Sequence, residues 1–384
     1  MNVPLHRPYI DNEELEAVKE VLESGWLTKG PKGKELEDKC AEYLGAKYAT
    51  TTTSCTTALH LALLAIGVGP GDEVLVADYT FPATGHAVMY CGAIPRFIDI
   101  DHLTYNMNPQ LIEHNITSKT KAIIPIHAFG HPASMEAIMF LANKHGLYVI
   151  EDAACAFGSE YKGKKVGTIA DVGCFSFHVT KGITTGEGGL VTTNNKEIAD
   201  IVKNLSVFGR GKVSSWDAEK SDTFISPRFE HLGYNYKMSD ILAAIGIVQL
   251  GKLERIIKRK TELAEYWNEK LNNIPLITAP FVSDFVRHNY QGYTTLVDDT
   301  VDRDSVIEKM KQKGIQLQIG TYSSFREPIY SEYVNYKCPV SEDIYWRALR
   351  LPMYYELTEE QIDYAAPILE ETLKDSVNKG YGKE

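Results

Sequence analysis

An alternation that starts at Thr56 does most to limit how this chain can fold. Apolar segments too short for helices, Val74–Ala77, Ile94–Asp99, Ala122–Ile126 and Leu147–Ile150, alternate with helical patterns at Thr56–Ile66, Ala83–Cys91, near Pro109–His114 and at Met135–His145. Such alternation reads as βαβ units, which predicts an α/β fold with a mostly parallel central sheet covered by helices on both faces. Open sheets of this kind bind ligands beyond the carboxyl ends of their strands. Thr56, Phe81, His127, Asp152 and Lys181 all fall at or just past a predicted strand end, or at a helix start, so they are expected to line one site.

The flanking segments complete the architecture. Asp11 is placed to cap a helix running to Glu23, and Lys34–Leu44 reads as a second helix closed by Gly45. After a helix at Lys196–Val207, the polar stretch from Gly209 to Glu230 is long enough to be a functional loop or lid. Ser239 can cap a long helix from Asp240 to about Asn272, with a break expected near Gly251. Beyond it, strands Gln291–Val297 and Ile315–Ile319 and helices Asp302–Lys313, Asp343–Leu349 and Thr358–Ser376 predict a smaller α+β region. The expected division is therefore residues 1–250, a large domain with an N-terminal helical segment, and residues 251–384, a small C-terminal domain.

Charge and cysteine usage narrow the partners. A net charge of −11 argues against nucleic acid or an anionic membrane surface as the main partner. Phosphates can still be held locally by backbone N–H groups. The six cysteines are scattered without CxxC or Cys/His spacing, so free thiols and no metal site are expected. The N-terminus shows no apolar core of a signal peptide, and the longest apolar run, Ala58–Val68, is too short to span a bilayer; a cytoplasmic protein is expected.

One lysine stands apart. In Gly173–Gly189, Lys181 sits on a turn between a short apolar strand and a glycine cluster that feeds a second strand, Leu190–Thr193. A lysine in such a place either points to water or has a chemical task, because an unpaired ammonium is costly to bury. Phe175-Ser176-Phe177-His178, Lys181 and Thr185-Gly186-Glu187-Gly188-Gly189 resemble the cofactor-lysine segment of the DegT/DnrJ/EryC1/StrS aminotransferases. Trp26-Leu27-Thr28-Lys29-Gly30-Pro31 and Ser54-Cys55-Thr56-Thr57-Ala58-Leu59 are similar to that family's N-terminal signature and phosphate turn. Further matches follow in order at Gly71–Val74, Tyr79–Phe81 with Ala83-Thr84, Glu151–Ala154, Gly233–Met238 and Leu351–Met353, covering nearly the whole chain.

The resemblance implies a fold-type I enzyme that uses pyridoxal 5'-phosphate (PLP) to aminate a nucleotide-linked keto sugar, with L-glutamate as donor and 2-oxoglutarate as by-product. PLP requires an amine, a carboxylate for its ring nitrogen, a phosphate cradle and a stacking partner. By the resemblance these are Lys181, Asp152, the turn at Cys55 and Thr56 with Ser176, and Phe81. Asn235 matches an asparagine that reaches the other subunit's cofactor, implying a homodimer with shared active sites. Cys155 stands where the family usually has Gln, His or Glu beside the cofactor's phenolic oxygen, which puts the tuning of the cofactor in question. Trp26, Lys29, His178, Arg228 and Tyr322 are candidate substrate contacts. Two other functions stay open: a PLP-dependent sugar dehydratase-type relative, disfavoured because those enzymes carry histidine in place of the lysine, and a non-catalytic PLP-binding regulator.

Overall fold

The computed structural model describes residues 1–210, 228–334 and 336–377. Its centre is a seven-stranded sheet in the spatial order Tyr48–Thr52, Gly189–Thr193, Val172–Ser176, Tyr148–Asp152, Thr120–Ile124, Glu73–Ala77, Ile94–Ile98. The last five of these are mutually parallel, and Gly189–Thr193 runs against both of its neighbours. Glu73–Ala77 and Val172–Ser176 are buried at every position, as expected for strands covered on both faces. The helix Cys55–Ala65 is apolar nearly all round and buried with it, lying against the helices Ala83–Tyr90 and Lys196–Ser206. The mostly parallel α/β architecture expected from the alternation is therefore present.

Three local features depart from the sequence reading. The edge strand Tyr48–Thr52 is formed by a run of threonines that carries no apolar signal; Thr50, Thr51 and Thr52 are nevertheless buried, and the N–H and Oγ1 of Thr51 both donate to Glu37 Oε1 at 2.9 Å. The helix expected near Pro109–His114 is instead two 3₁₀ turns, Pro109–Leu111 and Glu113–Asn115, the first capped by the Asn108 side chain. The helix Asp240–Leu271 runs for 32 residues without a break at Gly251. One glycine costs a helix only about 1 kcal/mol. Packing along the rod outweighs it: the first half meets the helices Asn12–Ser24 and Pro31–Leu44, and the second half joins another core.

That helix links two apolar cores. Leu253, Ile256 and Ile257 belong to the core around the central sheet, whereas Leu263, Ala264 and Trp267 belong to a second, with Tyr293, Val306, Leu349 and Leu369. The expected division after residue 250 falls within this continuous helix. The second core covers a four-stranded antiparallel sheet ordered Ile277–Thr278, Tyr293–Val297, Ala348–Leu351, Gln318–Ile319. Val3 is fully buried there too, so the N-terminal residues close onto the far end of the chain. A short pairing of Tyr322–Ser323 with Tyr79–Thr80 joins the C-terminal region to the edge of the central sheet's ligand side. Most of the expected lid, residues 211–227, lies outside the described residues. Among the described residues no helix is long and apolar enough to cross a membrane.

Candidate active site

The carboxyl ends of two neighbouring parallel strands, with the start of the antiparallel strand beside them, deliver the key groups. Asp152 closes Tyr148–Asp152, and Ser176 closes the adjacent Val172–Ser176. Gly189, which starts the antiparallel strand, is in register with both Ser176 and Thr52. A Cβ at Gly189 would lie 2.4 Å from the Ser54 backbone, so only glycine lets this strand pass so close under the turn that starts the next helix.

That turn is built to receive an anion. Ser54 caps the helix Cys55–Ala65, its Oγ accepting from the Thr57 N–H at 3.2 Å. The N–H groups of Cys55 and Thr56, in the first turn, have no hydrogen-bond partner among the described residues. Two free amides at a helix N-terminus form a phosphate cradle, and Ser176 Oγ, at the end of a buried strand, keeps its own proton available while accepting from the His178 N–H at 3.2 Å.

Lys181 lies on a turn in which its N–H donates to the His178 carbonyl at 2.9 Å. Its Nζ donates to Cys155 Sγ at 3.2 Å. Cys155 follows three residues after Asp152, and the ammonium lies near enough to act electrostatically on the carboxylate. Asp152 is 5% exposed, and burial pushes its carboxyl above the ordinary carboxylate range. Thr84 Oγ1, which donates to Oδ2 at 2.7 Å, and the Ala154 N–H, which donates to Oδ1 at 3.1 Å, oppose that shift, as does the charge of Lys181. Thr84 lies in a segment, Ala83-Thr84, that resembles the family's, but nothing in a threonine at a helix start marks it as the partner of an acid 68 residues away.

The donor set fits PLP: an amine, a buried carboxylate held by two donors, a helix N-terminus with unused amides, and an aromatic ring, Phe81, that is 64% exposed and has only the Tyr322 ring edge-on at 6.0 Å. A layered α/β fold carrying this set at its strand ends is that of a fold-type I PLP-dependent enzyme. The DegT/DnrJ/EryC1/StrS aminotransferase family model matches residues 8–370, and the chain belongs to that family. It is 39% identical over 371 residues to the spore coat polysaccharide biosynthesis protein SpsC of Bacillus subtilis, covering 94% of each chain. It is also 39% identical over 376 residues to the GDP-perosamine synthase of Escherichia coli O157:H7, covering 97% of this chain and 99% of that protein. The PLP form of Spr1654 from Streptococcus pneumoniae superposes with a TM-score of 0.91 at 26% identity, over 98% of this chain and 100% of that one. The protein is a PLP-dependent sugar aminotransferase.

The remaining expected site residues are less concentrated. Tyr322 reaches the Phe81 ring through the strand pairing with Thr80. His178 Nδ1 lies 2.9 Å from Thr180 Oγ1 on the lysine turn, leaving Nε2 3.8 Å from Glu187. Lys29 is paired with Glu37 at 3.9 Å. Trp26, Arg228 and Asn235 are exposed, and none is hydrogen-bonded or ion-paired to Lys181 or Asp152; Asn235 Oδ1 accepts from Lys237. His127 is structural. Fully buried, it accepts at Nδ1 from the Ala133 N–H at 2.9 Å, which leaves Nε2–H to donate to Glu151 at 3.0 Å. Glu151 in turn accepts from the N–H groups of Gly167, Ile169 and Ala170.

Proposed function

We propose that the protein transfers the amino group of L-glutamate to the keto carbon of a nucleotide-linked sugar, with PLP held at Lys181. The observation that carries this is the nearness of Lys181 to Asp152 at the carboxyl edge of the sheet: the lysine ammonium contacts Cys155, three residues past Asp152, and its charge acts on the Asp152 carboxyl. A nucleotide-linked substrate is supported by the name of the related GDP-perosamine synthase.

PLP, when bound, supplies an electron sink for the bond that breaks at the donor's α-carbon. Asp152, ionised, holds a proton on the cofactor's ring nitrogen, and Thr84 with the Ala154 amide keeps that carboxylate ionised despite its burial. The amides of Cys55 and Thr56 and the hydroxyl of Ser176 bind the phosphate, and Phe81 stacks on the ring. Lys181 Nζ, freed when the donor arrives, takes the proton from the donor's α-carbon and later delivers one to the sugar carbon. In this proposal residues 1–250 supply the cofactor pocket, and residues 251–384 supply a wall that carries Tyr322. Trp26, Lys29, His178 and Arg228 contact the sugar nucleotide, and Asn235 completes the site of a second subunit in a homodimer. The test is a panel of nucleotide keto sugars incubated with holoenzyme and glutamate. Formation of an amino sugar by mass spectrometry with stoichiometric 2-oxoglutarate is expected; amination of none of them with 2-oxoglutarate absent would end the proposal.

A further inference from the structure

Behind the lysine turn the protein keeps two basic side chains without a counter-charge. Lys260, on the helix Asp240–Leu271, is 3% exposed, and its Nζ has no hydrogen-bond partner among the described residues. Arg350, in the strand Ala348–Leu351, has its Nε sealed and unpartnered in the same way. Its register partner across the sheet, Thr294, buries a hydroxyl that also lacks a partner. The two cations repel each other, and neither forms an ion pair among the described residues. The titratable groups in electrostatic contact with them include His6, His288, Tyr79 and Cys155. Buried charge is normally paired, because leaving an ammonium or guanidinium unpartnered costs several kcal/mol. Two buried cations and a free hydroxyl, with no ion-pair partner among the described residues, suit an anion that arrives from outside.

The site opens toward the chemistry. Lys260 and Lys181 line the same cavity of about 10 Å³, with His6 and Gln249; that is room for about one oxygen atom. Arg350 lies near Cys155, which touches Lys181 Nζ. The guanidinium sits 5.8 Å from the Phe129 ring centroid and beside Gly292, where a Cβ would come within 2.9 Å of it. Its terminal nitrogens make no hydrogen bond among the described residues and, unlike Nε, are not sealed. A planar fork with its outer edge free is suited to a carboxylate, which it grips through two parallel bonds.

We propose that Arg350 and Lys260 form the seat for a carboxylate of the amine donor, with Arg350 gripping it and Lys260 placing a second charge behind one oxygen. The seat makes the enzyme select amino-acid donors over uncharged amines. It rests on the donor being an amino acid, as argued above, and deepens that proposal by naming the residues that recognise it.

The test uses glutarate, a dicarboxylate that cannot be transaminated, titrated calorimetrically into PLP-loaded enzyme. Arg350→Gln and Lys260→Met are each expected to weaken glutarate at least tenfold, while the visible cofactor band is kept. Arg350→Lys, which preserves the charge, retains part of the affinity. Glutaramide, its uncharged counterpart, is expected to bind weakly and equally to all forms. Wild-type enzyme that binds glutarate no better than glutaramide overturns the seat, as does undiminished glutarate binding in both Arg350→Gln and Lys260→Met. So does chloride that binds and displaces glutarate fully at equal concentration, which would mark a site for a monatomic ion. Release of 2-oxoglutarate from glutamate by the wild type, measured alongside, reports separately on the donor, so the seat can fail while the donor assignment stands.

Discussion

Lys181 Nζ and Cys155 Sγ lie 3.2 Å apart, so the one amine at the strand ends meets sulfur where its family relatives commonly offer an amide, imidazole or carboxylate. A thiol is a weak hydrogen-bond donor. In the proposed site the cofactor's phenolic oxygen would lie beside it, and is expected to be less stabilised as an anion than with an amide donor. Cys155→Gln adds a stronger donor, which favours the bare phenolate and competes with the lysine-linked nitrogen for it. The pH at which the cofactor's visible band changes is predicted to fall in the variant; spectrophotometric titration of the two holoenzymes reads it, and an unchanged midpoint would remove Cys155 from the cofactor's surroundings.

Thr84 Oγ1 donates to Asp152 Oδ2 at 2.7 Å and so opposes the upward push that burial gives this carboxyl. Thr84→Val keeps the shape and removes the donor. A hydrogen bond to a charged group is worth roughly 1.5–3 kcal/mol. Turnover is predicted to drop on the order of ten- to a hundredfold with PLP still bound, as steady-state kinetics and the visible band together report.

Asp240 fastens the N-terminal loop to the long helix. Its carboxylate accepts from the N–H groups of Gly30 (2.8 Å), Lys32 (3.0 Å) and Gly33 (3.0 Å), at the start of the helix Pro31–Leu44. Asp240→Ala leaves all three amides without that acceptor in a buried corner. A loss of roughly 2–3 kcal/mol in unfolding free energy is expected by denaturant titration. The sugar's KM should rise as well, because the loop bearing Trp26 and Lys29 loses its tether.

Lys260 gives a stability signature with a definite sign. Burial, and then the charge of Arg350, lower its pKa from 10.5 to about 8. His6 and His288 also face it, and both are pushed toward their neutral forms by burial. Between pH 8 and 10.5 the unfolded chain holds a proton that the folded one has released, so wild-type stability rises with pH across that window. Below pH 8 the full cost of the buried charge is present. Lys260→Met is predicted to stabilise the protein by roughly 1–4 kcal/mol at pH 7, with the gain shrinking above pH 8 and gone near 10.5. Thermal unfolding at pH 7 and at pH 10 reads the difference; equal gains at both would contradict the buried charge.

Much of the fold was legible because parallel strands buried on two faces cannot hide their apolar runs, as Val74–Ala77 and Ala122–Ile124 show. Lys181 and Asp152 were legible through the resemblance of the segments around them to the family's; a turn lysine or a strand-end acid taken alone leaves a solvated role open. Strand Tyr48–Thr52 escaped because its threonines satisfy their hydroxyls inside the fold, with Glu37 and the Ser54 carbonyl among the acceptors, something composition does not reveal. The unbroken rod through Gly251 escaped because a glycine's local cost is small beside packing that the sequence does not display. Thr84 and Asp240 matter through partners 68 to 210 residues away, and Lys260 and Arg350 through the lack of any, which only folded geometry brings into view.

The central claim is that Lys181, and no other lysine, carries the cofactor. Reducing the PLP-loaded enzyme with borohydride fixes the link covalently, and peptide mapping by mass spectrometry then locates it. The added mass is predicted on Lys181 alone, and on no residue in Lys181→Ala. Finding it on Lys260, the other lysine lining that cavity, or on a surface lysine would contradict the account.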